Sequence, residues 1–295
     1  MPQWRVSTPT TISCSSPALS VEFVKHGAEM VSLKDELGRE LLWQAGPEWR
    51  RHAPVLFPII CRVPGDTIHH DGLDYPLAQH GFARDREFQL VHHSAARATF
   101  VLVSDEESRA QFPFDWQLSI DYQLDGAMLT ITQSVRNTGD APLGASIGNH
   151  PAFAWPLPGA TREQHGIDFG NAEPHGFQRA PQNLLLPELY PAPVIDGVLG
   201  LSDRIFEPGV LIFTEQKRRI VRYTAPGAPT IVVDAGDFLT LGVWAPVGAP
   251  FVCIEPWAGF PTPIEWNGEI LDKPGQFRLE AGESRSFSYS ITVEV

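Results

Sequence analysis

Two short stretches, Gly148-Asn149-His150-Pro151-Ala152-Phe153 and Cys253-Ile254-Glu255-Pro256-Trp257-Ala258-Gly259, each set one titratable side chain beside a proline and near an aromatic ring. An imidazole and a carboxylate can give and take a proton near neutral pH. If His150 and Glu255 meet in space, they form a reversible acid–base pair. Taken singly, each fits a structural role better: a histidine bonded to a loop carbonyl, a glutamate paired with an arginine.

The surrounding residues say how such groups would be held. Gly144 to Ile147 reads as a short strand, so His150 stands where a strand leaves its sheet, a common place for functional side chains. Glu255 continues the apolar run Pro250 to Ile254 and is expected to be partly buried. Burial beside an aromatic ring raises a carboxyl pKa toward a working value. A third block runs through Pro54 to Arg62, Asp71 to Leu77 and Gln79 to Asp85. Arg62 follows a buried-looking strand and is expected to point inward. His80-Gly81 offers a close approach to a ligand. Arg62, His80 and Arg84 together would suit hydroxyl or phosphate oxygens. A surface pair of Arg84 with Asp85 or Glu87 is the other reading. Trp43, Trp49, Trp155, Trp244 and Trp257 are candidates for a sugar-stacking floor or for plain core.

Several chemistries lack support. The adjacent pairs His69-His70 and His92-His93 point to opposite strand faces and chelate poorly. There is no HExxH, no zinc-type His/Cys spacing, no GxGxxG, no P-loop and no GxSxG. No metal and no cofactor is expected. A net charge of -13 argues against nucleic acid and anionic membrane as partners, while leaving room for a local basic pocket. No run of 18 apolar residues occurs, so no membrane span is expected. Three scattered cysteines, Cys14, Cys61 and Cys253, indicate a reduced, cytoplasmic protein, and Met1–Arg5 shows no export signal.

Strand-like alternation recurs between Gly, Pro, Asn and Asp turns. Strands are expected over residues 11–14, 19–24, 28–33, 40–43, 97–103, 116–124, 128–135, 220–223, 230–233, 239–244, 251–255 and 286–293. Asp125-Gly126 and Asp71-Gly72 read as hairpin turns. With 27 prolines and 25 glycines, helices are confined to short pieces, placed at Pro187 to Tyr190 or Trp49 to Pro54. Pro156 to Leu201 reads as a long loop region at the mouth of a β-domain. The expectation is one all-β domain over residues 1–295, an antiparallel sandwich or barrel.

In order along the chain, Gly27 to Asp35, Leu56 to Arg62, Gln79 to Asp85, Phe112 to Asp115, Ile147 to Phe153 and Cys253 to Gly259 resemble the aldose 1-epimerase (galactose mutarotase) family, in its shorter bacterial branch. The resemblance implies a large antiparallel β-sandwich with a sugar cleft. It implies His150 as general acid on the ring oxygen, Glu255 as general base on the anomeric hydroxyl, Arg62 and His80 on the sugar, and Trp244 near the cleft. The implied activity is α/β anomer interconversion of an aldohexose by a monomer or homodimer. The arginine of His80-Gly81-Phe82-Ala83-Arg84 also resembles the hexose-6-phosphate epimerase branch, which would make the substrate a sugar phosphate. A non-catalytic carbohydrate-binding protein is a third reading. Departures from the pattern are Gly209 where many relatives place an aspartate, Cys61 before Arg62, and Asn149 before His150.

Overall fold

The computed structural model describes residues 11–170, 174–214 and 219–295. Met1–Arg5, expected to carry no export signal, lies outside the described residues. A ten-stranded sheet runs from Val194–Ile195 at one edge to Gln89–Ser94 at the other, with Ser284–Glu294, Met128–Asn137 and Trp116–Asp125 at its centre. A six-stranded sheet orders Leu211–Phe213, Thr240–Trp244, Phe251–Ala258, Ile147–Asn149 and Val55–Leu56, with Ala152–Ala154 also paired to Phe251–Ala258. A three-stranded sheet holds Ile12–Ser15, Leu19–Phe23 and Met30–Asp35. The ladders are antiparallel, and the all-β sandwich expected from the strand pattern is the fold observed.

The alternation that predicts the strands also sorts their faces. In Trp116–Asp125, Trp116, Leu118, Ile120, Tyr122 and Leu124 point inward. On the outer face, Thr132 meets Ser288 at 2.9 Å and Ser134 meets Ser286 at 2.7 Å. Phe100, Leu118 and Ile131 of the large sheet share one buried cluster with Val55, Val243, Val252 and Ile254 of the smaller one. Each such side chain contributes roughly 1.5–3 kcal/mol on burial.

Four expectations are corrected. Pro156–Leu201 is not all loop: Gly166–Asp168, Val194–Ile195 and Val198–Gly200 are strands of the ten-stranded sheet. Trp49–Pro54 is not helical, because the amides of His52 and Ala53 are taken by the Glu29 carboxylate at 2.7 and 2.9 Å. Pro187–Tyr190 is not helical either: Tyr190 bridges to Phe177 instead. The short α-turns lie at Glu106–Arg109 and Asp203–Phe206. Residues 40–43 make only isolated bridges, because the Glu40 carboxylate accepts from the backbones of Leu33 and Leu42 at 2.9 and 3.1 Å, where ladder bonds would otherwise run.

Candidate active site

Phe251–Ala258 lies inside its sheet and is buried along nearly its whole length. Its period of two sends Val252 and Ile254 into the core between the sheets and Phe251, Cys253, Glu255 and Trp257 to the opposite face. That face floors a cleft of about 700 Å³. Trp257 fits there because its neighbours are glycines: a Cβ on Gly148 or Gly242 would come within 2.6 Å of the indole.

The opposite wall is held from a distance. Glu29 ties down residues 52 and 53, and the carbonyls of His52 and Pro54 accept from the backbones of Ala152 and His150 at 2.9 and 3.1 Å. This places Trp49 against the His150 ring at 4.8 Å between centroids, and Trp244 meets the same ring edge-on at 5.6 Å. His150 therefore sits in an aromatic box with one open direction.

In that direction lies Glu255. His150 Nε2 is 3.2 Å from Glu255 Oε2, with the two side chains 8% and 1% exposed. The two residues singled out by sequence are brought together. Burial raises the Glu255 carboxyl well above its ordinary value, opposed by the Trp257 indole. Burial, reinforced by the Arg84 guanidinium, lowers the His150 imidazole to about 3. Burial thus favours the uncharged pair, a protonated carboxyl beside a neutral imidazole.

His80 also lines the cleft. Its Nδ1 accepts from the Cys61 amide at 3.0 Å, so the proton of this neutral ring is on Nε2. Burial and the neighbouring His150 hold its pKa well below the ordinary value. His80 adopts φ 63° and Gly81 φ 68°, and a Cβ on Gly81 would lie 2.1 Å from the Phe57 carbonyl oxygen. Arg84 lines the cleft rather than the outer surface. Its Nη2 donates to the Gln79 carbonyl at 2.6 Å, with Asp85 3.7 Å from Nε. Burial lowers its pKa to about 10, helped by Arg51. Arg62 is the correction. It does not line the cleft; it pairs with Asp66 at 3.0 Å with its side chain 44% exposed. The strand before it ends at Leu56, and the left-handed Cys61 (φ 57°) turns the chain just ahead of Arg62.

A family model described as aldose 1-epimerase matches residues 10–291. The chain belongs to the aldose 1-epimerase family. The galactose mutarotase related enzyme of Lactobacillus acidophilus superposes with a TM-score of 0.91 at 30% identity, covering 97% of this chain and 98% of that one. A galactose mutarotase-like protein from Lactobacillus casei gives 0.90 at 25% identity, with 97% and 100% covered. Protein LacX of Lactococcus lactis is 29% identical over 296 residues, 96% of this chain and 99% of its own length.

Within this member of the family, the cleft contains, besides the Gly209 region, residues the sequence did not single out. Arg51 lines it and bonds Asp85 at 2.9 Å. Gln79, Gln182 and Asn183 form another part of its wall. Residues 207–209 border it, and Arg179 holds their loop by donating to the carbonyls of Gly209 and Ile205 at 2.5 and 2.9 Å. No local pattern marks these positions; only the approach of distant loops does. Of the five candidate tryptophans, Trp49, Trp244 and Trp257 line the cleft. Trp43 stacks on Phe251, and Trp155 is buried under Arg162.

His150, Cys253 and Glu255 bring one ligand atom each within 4.8 Å of one another. Among the described residues, no helix is long and apolar enough to cross a membrane.

Proposed function

We propose that the chain is a cytoplasmic aldose 1-epimerase that interconverts the α and β anomers of an aldohexose, with His150 and Glu255 as its catalytic pair. The observation that carries this reading is the 3.2 Å contact between imidazole and carboxyl on the floor of an aromatic cleft. Glu255 takes the O1 proton while the C1–O5 bond breaks and His150 gives a proton to O5. Rotation about C1–C2 presents the other carbonyl face, and the reverse transfers close the ring. No net proton is consumed. Ring opening leaves Glu255 protonated and His150 neutral, which is the state that burial favours. The working state before opening carries the proton on His150 and leaves Glu255 ionised. His80 offers its Nε2–H to a sugar oxygen, and Trp49 and Trp244 stack on sugar C–H faces.

Polarimetry or saturation-transfer NMR on freshly dissolved α-sugars tests the reading. Catalysed approach to anomeric equilibrium supports it. Calorimetric sugar binding without any acceleration would make the protein a carbohydrate-binding member of the family instead.

A second reading has one observation in its favour: Arg51 and Arg84 both line the cleft and share the single carboxylate Asp85. Two neighbouring guanidiniums suit the oxygens of a hexose 6-phosphate. Arg84→Ala should then raise KM for the sugar phosphate far more than for the free sugar. A free sugar that is the better substrate rules this reading out.

A further inference from the structure

Gln79 and Asn183 meet across the cleft wall, where the Gln79 amide donates to Asn183 Oδ1 at 3.1 Å. One bond between two carboxamides uses one N–H and one oxygen. Whichever way the two amides face, one NH₂ and one C=O remain for a ligand. Both residues are half-buried and open to the cleft. A pair of neighbouring sugar hydroxyls presents the complement, one acceptor and one donor.

Both residues are held on the far side. The Arg84 guanidinium bonds the Gln79 carbonyl at 2.6 Å, and the Arg62 backbone amide bonds the Asn183 carbonyl at 3.1 Å. Gln182 and Asn183 are consecutive non-glycine residues in left-handed backbone, at φ 56° and 65°. Such conformations cost on the order of 1–3 kcal/mol each and persist where the surroundings dictate them, often at ligand sites. Here they turn the Asn183 side chain to Gln79.

We infer that the Gln79–Asn183 amide pair is the specificity-determining element of the cleft, reading two neighbouring hydroxyls of the aldose. The inference rests on the cleft being a sugar site, as proposed above.

The test is a cycle between protein and sugar. Wild type, Gln79→Ala and Asn183→Gly, the last compatible with left-handed backbone, are assayed with an aldohexose and its monodeoxy analogues. Anomerisation rate and tryptophan-fluorescence binding are both measured. In wild type, one or two adjacent deoxy positions should lose about tenfold or more, the worth of one hydrogen bond of roughly 1.4 kcal/mol. In each variant the parent sugar should lose that factor, mainly in KM, and the same deoxy analogues should lose nothing further. Equal deoxy penalties in an active wild type and in folded variants overturn the inference. If wild type accelerates nothing but the coupling appears in binding, the amide pair stands and the epimerase reading falls. Absence of coupling in both measurements overturns the inference outright.

Discussion

His150 Nε2 lies 3.2 Å from Glu255 Oε2, although His150 follows the end of Ile147–Asn149 while Glu255 stands inside Phe251–Ala258, and neither side chain makes a closer charged contact. The pair is nearly buried, and the Arg84 guanidinium reinforces burial in disfavouring charge on His150.

Removing either partner should abolish most of the rate. His150→Ala and Glu255→Gln are each expected to lose on the order of 10²–10⁴-fold in kcat/KM. The double variant should lose little more than the worse single one, because the two act as a unit. A His150→Ala protein at wild-type rate, read by polarimetry, rejects the mechanism.

The same pair should shape stability against pH. Burial raises Glu255 above its ordinary 4.5, so its contribution is full below that value and is lost as pH rises toward the folded pKa. Burial lowers His150 from 6.5 to about 3, so its contribution is full above 6.5 and is lost as pH falls toward 3. Glu255→Gln mimics the protonated acid. Its Tm should exceed that of wild type by more at about pH 8 than at about pH 4. His150→Ala should flatten the acid limb between 6.5 and 3. Calorimetric scans across pH check both.

Glu29 touches neither reactive group, yet it should matter to the site. Its one carboxylate oxygen accepts the amides of His52 and Ala53. Glu29→Ala leaves two amides without their partner at about 1–3 kcal/mol each. It should also loosen Trp49 and Arg51 and lower kcat/KM. Glu29→Gln keeps an acceptor and should recover most of both losses, in denaturant melts and in rate.

Gly81→Ala should be the most damaging small change near His80. The added methyl would meet the Phe57 carbonyl oxygen at 2.1 Å in a backbone of φ +68°. Left-handed strain and overpacking together predict about 2–5 kcal/mol of lost stability. Chemical denaturation measures it, and a stability within error of wild type would show that the loop relaxes.

Local pattern carried the strands and hairpins well. Trp116–Asp125 and Met128–Asn137 read correctly because alternation repeats over many residues, and Asp125-Gly126 marks the turn between them. It failed for residues 49–54, where the deciding partner, Glu29, lies more than twenty residues upstream. It failed for Arg62 because an apolar strand before a residue does not fix its side chain after a left-handed turn at Cys61.

By itself, the sequence determined the all-β class and the antiparallel hairpins, and it offered His150 and Glu255 as candidates for a proton-exchanging pair. These follow from side-chain period and residue type, which are local properties. Tertiary structure decided that His150 faces Glu255, that Arg51, Gln79 and Asn183 join the cleft and that Arg62 does not. Those facts depend on loops far apart in the chain meeting at one rim, and their positions are set by packing and by buried hydrogen bonds that no short window of sequence contains.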